Sequence, residues 1–409
     1  MKPQLTTLPS GLRIVTDPMD AASASVGLWF GVGTRFEKAD EAGLSHLLEH
    51  MFFKGTTTRS AAVLNQSIED VGGSMNAYTS REQTAYHARI LAEDLPLALD
   101  LLADMMLNSR FDDADLAREK GVISAEIGEA YDAPDDWVFD LLHKTAYPDQ
   151  PLGLPVLGSV ESLERISSSQ LRRYVAGHYM AGRCILSGAG GIRHDELVKL
   201  GTQYFSALPP GLPATPAKAS YKGGTIAEDR DIEQLHICLS HRGVTYGHKL
   251  YYAQTLFATA LGGSTSSRLF HEIREMRGLA YTVSSFMQPF QDDGLLVVYM
   301  AADPDRAREA CDSALHQLQT MADTLTQAEL DRAKALTRAS LLMSLESSEN
   351  RAERLAQQLL QYNRLIDLEE TLGALASVTL ADLKCYADLM LASPLTRVAV
   401  GPTDALEWA

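Results

Sequence analysis

The stretch His46-Leu47-Leu48-Glu49-His50 carries the clearest chemistry in this chain. Two imidazoles four residues apart, with a carboxylate between them, share one side of a helix, because positions i, i+3 and i+4 are surface neighbours there. A catalytic zinc takes about three nitrogen or oxygen ligands from the protein and keeps one position for water, whose proton a nearby carboxylate can take. His46 and His50 are therefore candidate ligands, and Glu49 is the candidate base. Beside them Leu44, Leu47, Leu48, Met51 and Phe52 recur at helical spacing, an apolar stripe that can bury the helix while its polar side faces a cleft. Gly55 is a suitable stop.

Two histidines do not complete a site, so a third ligand must come from another element. Asp112, Asp113 and Asp115 open a helical pattern as acids at an N-terminus should, and Glu119, Glu126 and Glu129 follow within it. Glu119 and Glu126 are 7 residues apart, about two turns, so both carboxylates share a face. On residue type alone these glutamates read equally well as a solvated helix surface. Residues 73–80 and 83–91 read as adjacent strands, and the first carries small and polar Asn76, Ala77 and Thr79 where a core strand would be apolar. Such a strand suits a sheet edge that offers its backbone to an extended peptide, or a plain solvated hairpin.

HLLEH followed by MFFKGT, then GGSMNAYTSREQTAY, then LAREKGVISAEIGEA, resembles the pitrilysin, insulysin and mitochondrial processing peptidase family of zinc metallopeptidases, which use the inverted zincin order. In that family a glutamate about 76 positions beyond the second histidine is the third zinc ligand, with another essential glutamate seven before it. Glu126 stands 76 residues after His50, and Glu119 stands 7 before Glu126. The resemblance thus implies one zinc per chain held by His46, His50 and Glu126, with Glu49 as base and Glu119 orienting the site. It also assigns substrate-backbone binding to Asn76 and Ala77. Farther along, Ser266 to Phe270 and Arg274 to Tyr281 are similar to the family's second signature, in which an arginine and a tyrosine seven positions on reach toward the substrate. Arg274 and Tyr281 fill those positions. A guanidinium can hold a peptide carbonyl or carboxylate, and a phenol can donate to an oxyanion.

The elements that must position these residues are legible in outline. With 409 residues, 45% hydrophobic and 22% charged, the chain has globular composition and length for two domains or more. Helical patterns occupy 93–109, 113–130, 134–146, 160–177 and 193–206, after a block of strands, which predicts an α+β layer with helices on one face. The Pro- and Ala-rich stretch Leu208 to Ala219 then reads as a linker, and a similar order of elements repeats after it. The expected organisation is a zinc-binding domain at 1–207, a linker at 208–222 and a homologous, substrate-contacting domain without zinc at 223–409. Each would be a mainly antiparallel sheet with helices on one face, and the resemblance implies that the two face each other as a clamshell around a chamber.

A net charge of −17 argues against nucleic acid and suits basic peptides. Four cysteines far apart, with no CxxC pair, fit reduced thiols better than a disulfide framework. The N-terminus shows no apolar leader and no run is long enough to span a bilayer, so the reading is a cytoplasmic location, with a trimmed leader as the alternative. The run Gly188 to Gly191 fails as a dinucleotide fingerprint, because Arg193 occupies the place of its third glycine. His271-Glu272 has no partner histidine at zincin spacing. The resulting expectation is a zinc-dependent endopeptidase acting on unfolded peptides, assembled as a homodimer because the chain carries both signatures. The alternatives are the zinc-bearing half of a heterodimeric peptidase and a noncatalytic structural subunit.

Overall fold

A computed structural model of the chain describes residues 2–212, 215–406 and 408. Strands β1 Gln4–Thr7, β2 Arg13–Pro18, β3 Ser23–Phe30, β4 Ser74–Thr79, β5 Thr84–Leu91 and β6 Cys184–Gly190 form one sheet in the order β1-β2-β6-β3-β5-β4. Strands β7 Gly224–Asp229, β8 Leu235–Arg242, β9 Ala280–Pro289, β10 Gly294–Ala302 and β11 Thr396–Gly401 form a second in the order β7-β11-β8-β10-β9. Apart from the additional β1, the two orders correspond strand for strand. The pairing corresponds as well: β2 with β6 and β7 with β11 run parallel, and every other neighbour is antiparallel. The repeat expected from element order is therefore present as topology.

The central strands explain why each sheet is covered on both faces. In β3, Ala24, Val26, Leu28 and Phe30 pack into the main core with Leu44, Leu47, Leu48 and Phe52, while Trp29 joins Val15, Ala85 and Ile185 on the other face. A strand apolar on both sides reads as a continuous run, as SASVGLWF does, and needs cover on both. The second cover for the first sheet is the helix Ser348–Tyr362, through Ala352, Leu355, Ala356 and Leu359. For the second sheet it is the helix Pro134–Ala146, through Val138, Leu141 and Leu142 against Cys238, Leu295, Val297 and Val398.

The compact units are consequently not contiguous in sequence. One comprises Met1–Ile127, Leu154–Ala217 and Met343–Leu365, the other Gly128–Gly153, Lys218–Leu342 and Ile366–Ala409. This departs from the expected division at 1–207 and 223–409, since each unit takes one covering helix from the other half of the sequence. It also adds a single helix to the face that was expected to be bare. The expected linker 208–222 has no helix or strand among its described residues, and its residues 213 and 214 lie outside them.

One local expectation also shifts. The helix expected over 160–177 is two helices, Val160–Arg165 and Ser168–His178, because Ser167 restarts the chain with a capping box to Gln170. In the second half of the chain, Phe270–Met276 forms a helix of π geometry. All four cysteines are free thiols, three of them buried. No helix among the described residues is long and apolar enough to cross a membrane.

Candidate metal centre

The helix Leu44–Phe52 is fixed by its apolar side. Leu44, Leu47, Leu48, Met51 and Phe52 are fully buried, each contributing roughly 1.5–3 kcal/mol of burial. That orientation leaves His46, Glu49 and His50 half-buried on the remaining side. The helix begins at Gly43, whose φ of 88° favours glycine, and a Cβ there would sit 2.5 Å from the carbonyl oxygen of Leu157.

The second contributor is the helix Asp113–Asp132, which carries Glu119 and Glu126. Glu126 Oε2 lies 3.9 Å from His46 Nε2 and 3.8 Å from His50 Nε2. One donor atom from each of the three residues falls within 4.8 Å of the others. A tetrahedral zinc with bonds of about 2.0–2.1 Å spaces its ligands by roughly 3.4 Å, so two imidazoles and a carboxylate at these separations fit such an ion. Among the described residues this is the one His/Cys/Asp/Glu group that could hold a metal.

The histidines are held differently. His50 Nδ1 lies 3.1 Å from Glu119 Oε2, and Glu119 Oε1 accepts from Lys54 Nζ at 2.8 Å. A carboxylate only accepts, so Nδ1 must carry the proton and Nε2 presents its lone pair toward Glu126. His46 has no such anchor: its Nδ1 is buried with no hydrogen-bond partner among the described residues. Burial, helped by the neighbouring His50, pushes the His46 imidazole down to about 4, which leaves it neutral and able to act as a ligand.

Glu49 Oε2 accepts a hydrogen bond of 2.5 Å from Thr79 Oγ1. Burial raises the Glu49 carboxyl above the ordinary range, with Thr79 and His50 pulling it back and Glu126 adding to the rise. A carboxyl so placed holds a proton more readily than an exposed glutamate, which suits a group that must take and return one.

Thr79 ends β4, an edge strand of the first sheet, which also carries Asn76 and Ala77. Asn76 Oδ1 accepts from the Ala77 amide at 2.9 Å. Arg274 and Tyr281 belong to the second unit and meet each other there. Arg274 Nη1 donates to the Tyr281 carbonyl at 3.0 Å, and its guanidinium stacks over the rings of Phe270 and Tyr281. The Tyr281 side chain is exposed. Thus His46, Glu49, His50, Glu119 and Glu126 form one cluster, with the Asn76–Ala77 strand joined to it through Thr79, and Arg274 with Tyr281 forms another. The roles of Thr79 and Lys54 were not assigned from sequence, although Lys54 stands one helical turn beyond His50.

The sequence and the fold have counterparts among known proteins. Residues 13–160 match the model of the insulinase family, peptidase family M16, and residues 165–337 match that of the peptidase M16 inactive domain. An uncharacterized zinc protease of Mycobacterium tuberculosis is 39% identical across 98% of this chain and 94% of its own length. The uncharacterized zinc protease YmxG of Bacillus subtilis is 35% identical across 97% of this chain and 98% of its own length. A crystal structure of a protease from Helicobacter pylori shares the fold with a TM-score of 0.92, at 24% identity over 98% of this chain and 100% of that one. The chain belongs to peptidase family M16, in its two-domain bacterial form.

Proposed function

We propose that this chain is a zinc-dependent endopeptidase that hydrolyses unfolded peptides or short polypeptides. The observation that carries the reading is the convergence of His46, His50 and Glu126, with donor atoms within 4.8 Å of one another and Glu49 beside two of them in the same helix. A zinc held there would lower the pKa of a bound water and polarise the scissile carbonyl. Glu49 takes the proton of the attacking water and delivers it to the leaving amine. Glu119 keeps His50 in the tautomer that leaves Nε2 free, and Lys54 balances the charge of Glu119.

The edge strand β4 supports peptide binding by strand addition, with Asn76 and Ala77 meeting the substrate backbone. Arg274 and Tyr281 take the substrate's carbonyl groups and the developing oxyanion, as the family resemblance implies. A chamber enclosed by the two domains, implied by the same resemblance, would admit unfolded chains and reject folded ones. The working assembly is a homodimer with one zinc per chain.

The test is cleavage of a mixed library of unfolded peptides of about 10–30 residues, a length range suited to extended binding, by the purified chain. Activity should vanish with a zinc chelator and return on zinc addition. Cleavage indifferent to the chelator would refute the metal reading.

A further inference from the structure

The helix that carries both histidines has no N-cap side chain of its own. Its first residue is preceded by Gly43, yet the helix start is buried, so its free amides cannot turn to water. Two of them are met from upstream. Glu37 Oε2 accepts from the Gly43 amide at 2.8 Å, and Glu37 Oε1 accepts from the Ser45 amide at 2.5 Å. Glu37 is 3% exposed and makes no ion pair among the described residues.

Around this contact the same turn is tied again. Ser45 Oγ lies 2.9 Å from the Tyr174 hydroxyl, and Ser162 Oγ donates to the Ala42 carbonyl at 2.7 Å. Burying a carboxyl without a cation is unfavourable. Burial pushes the Glu37 carboxyl up to about 8, with the Ser45 and Gly43 donors opposing the rise and Glu41 adding to it. An acid kept in such a place has work that an apolar residue could not do.

That work is indicated by the asymmetry between the two histidines. His50 is oriented through its own ring by Glu119, whereas His46 has no hydrogen bond at Nδ1 among the described residues. The ring of His46 is therefore directed by its backbone, and it is the third residue of the helix, in the turn that Glu37 holds.

We propose that Glu37 is the positioning residue for His46, fixing the first turn of the metal helix so that one histidine is set by backbone anchorage and the other by Glu119. The inference rests on the zinc reading above. Glu37 touches neither metal nor substrate in this account. Its effect is to hold the ligand set pre-assembled, so its loss should appear first as weakened zinc binding by a folded protein.

The experiment compares the full chain with Glu37→Ala, Glu37→Gln and the exposed control Asp40→Asn. Zinc affinity is measured by chelator competition and amide exchange across residues 43–47 by mass spectrometry, both well below the thermal midpoint. Loss of a partner behind a metal ligand typically weakens metal binding about 10- to 100-fold. Glu37→Ala should fall in that range, with faster exchange confined to the first turn, while Asp40→Asn matches wild type. Glu37→Gln keeps one acceptor oxygen and should fall between them, and it decides the question if the alanine variant does not fold. A folded Glu37 variant with wild-type zinc affinity would overturn the proposal, even if its thermal midpoint fell, because that pattern marks a purely structural role. Failure of the wild-type chain to bind zinc would instead refute the underlying metal reading.

Discussion

The two sheets share one strand order, yet the helices that follow their corresponding strands β3 and β8 differ in kind. Leu44–Phe52 presents two histidines and a glutamate beside its buried leucines. Tyr251–Gly262 carries no His, Cys, Asp or Glu in its 12 residues and buries Leu256, Phe257 and Leu261 instead. Its one buried polar side chain, Gln254, accepts from the Val244 amide at 2.7 Å and so secures a loop. The same scaffold thus carries a candidate metal cluster in one place and a packing element in the other. Chemistry here belongs to a few side chains, and the fold supplies only their positions.

The largest expected effect is to erase that difference. His50→Ala removes a ligand and leaves Glu119 without its partner, so zinc should be lost and peptide hydrolysis should fall to background while the fold survives. Metal analysis after gel filtration, with a peptide assay on the same sample, checks both. A variant that kept its zinc would show that the ligands lie elsewhere.

The converse change sharpens the contrast from the other side. Phe257→Ala empties a core position in the second helix and should destabilise that unit by about 3–5 kcal/mol. Below the unfolding transition its zinc affinity should equal wild type, as read by denaturant titration and chelator competition. A smaller effect is expected from Glu119→Gln, which keeps the shape but weakens the acceptor at His50 Nδ1. Zinc should bind about 10- to 100-fold more weakly, with little change in thermal midpoint.

The smallest effect lies in the second unit and is visible through pH. Glu329 receives a two-pronged contact from Arg268, Nε to Oε1 at 2.7 Å and Nη2 to Oε2 at 3.0 Å, with Thr326 donating as well. The Arg268 guanidinium, opposed by burial and helped by Thr326, holds this carboxyl down to about 2. Its folded pKa is depressed, so the stability it contributes is present above the ordinary carboxylate value near 4.5 and is lost as pH falls toward 2. Glu329→Gln should therefore lower the thermal midpoint at pH 6 and converge on wild type as the medium is acidified. A constant difference across that range would remove the ion pair from the account.

Much of the centre was legible because its chemistry is local. His46, Glu49 and His50 share five consecutive positions, and Leu47 with Leu48 dictates which way that helix turns. Glu126 needed the family spacing, since nothing in the periodicity of Asp113–Asp132 marks one glutamate as a ligand and another as its support. Thr79 and Lys54 were silent for a plainer reason. Thr79 meets Glu49 across 30 residues and Lys54 meets Glu119 across 65, and neither contact leaves a trace in local pattern. The paired covering helices were equally hidden: Ser348–Tyr362 has the amphipathic pattern of any surface helix, and only tertiary packing assigns it to Trp29 and Val15.

The measurement that tests the account most directly is zinc content and turnover of Glu49→Gln, determined on one preparation. The substitution preserves size and leaves His46, His50 and Glu126 untouched, so the account predicts one zinc per chain with hydrolysis abolished. Full turnover by a zinc-loaded Glu49→Gln protein would contradict it, because no other carboxyl in the cluster is then free of both metal and His50 to move the proton.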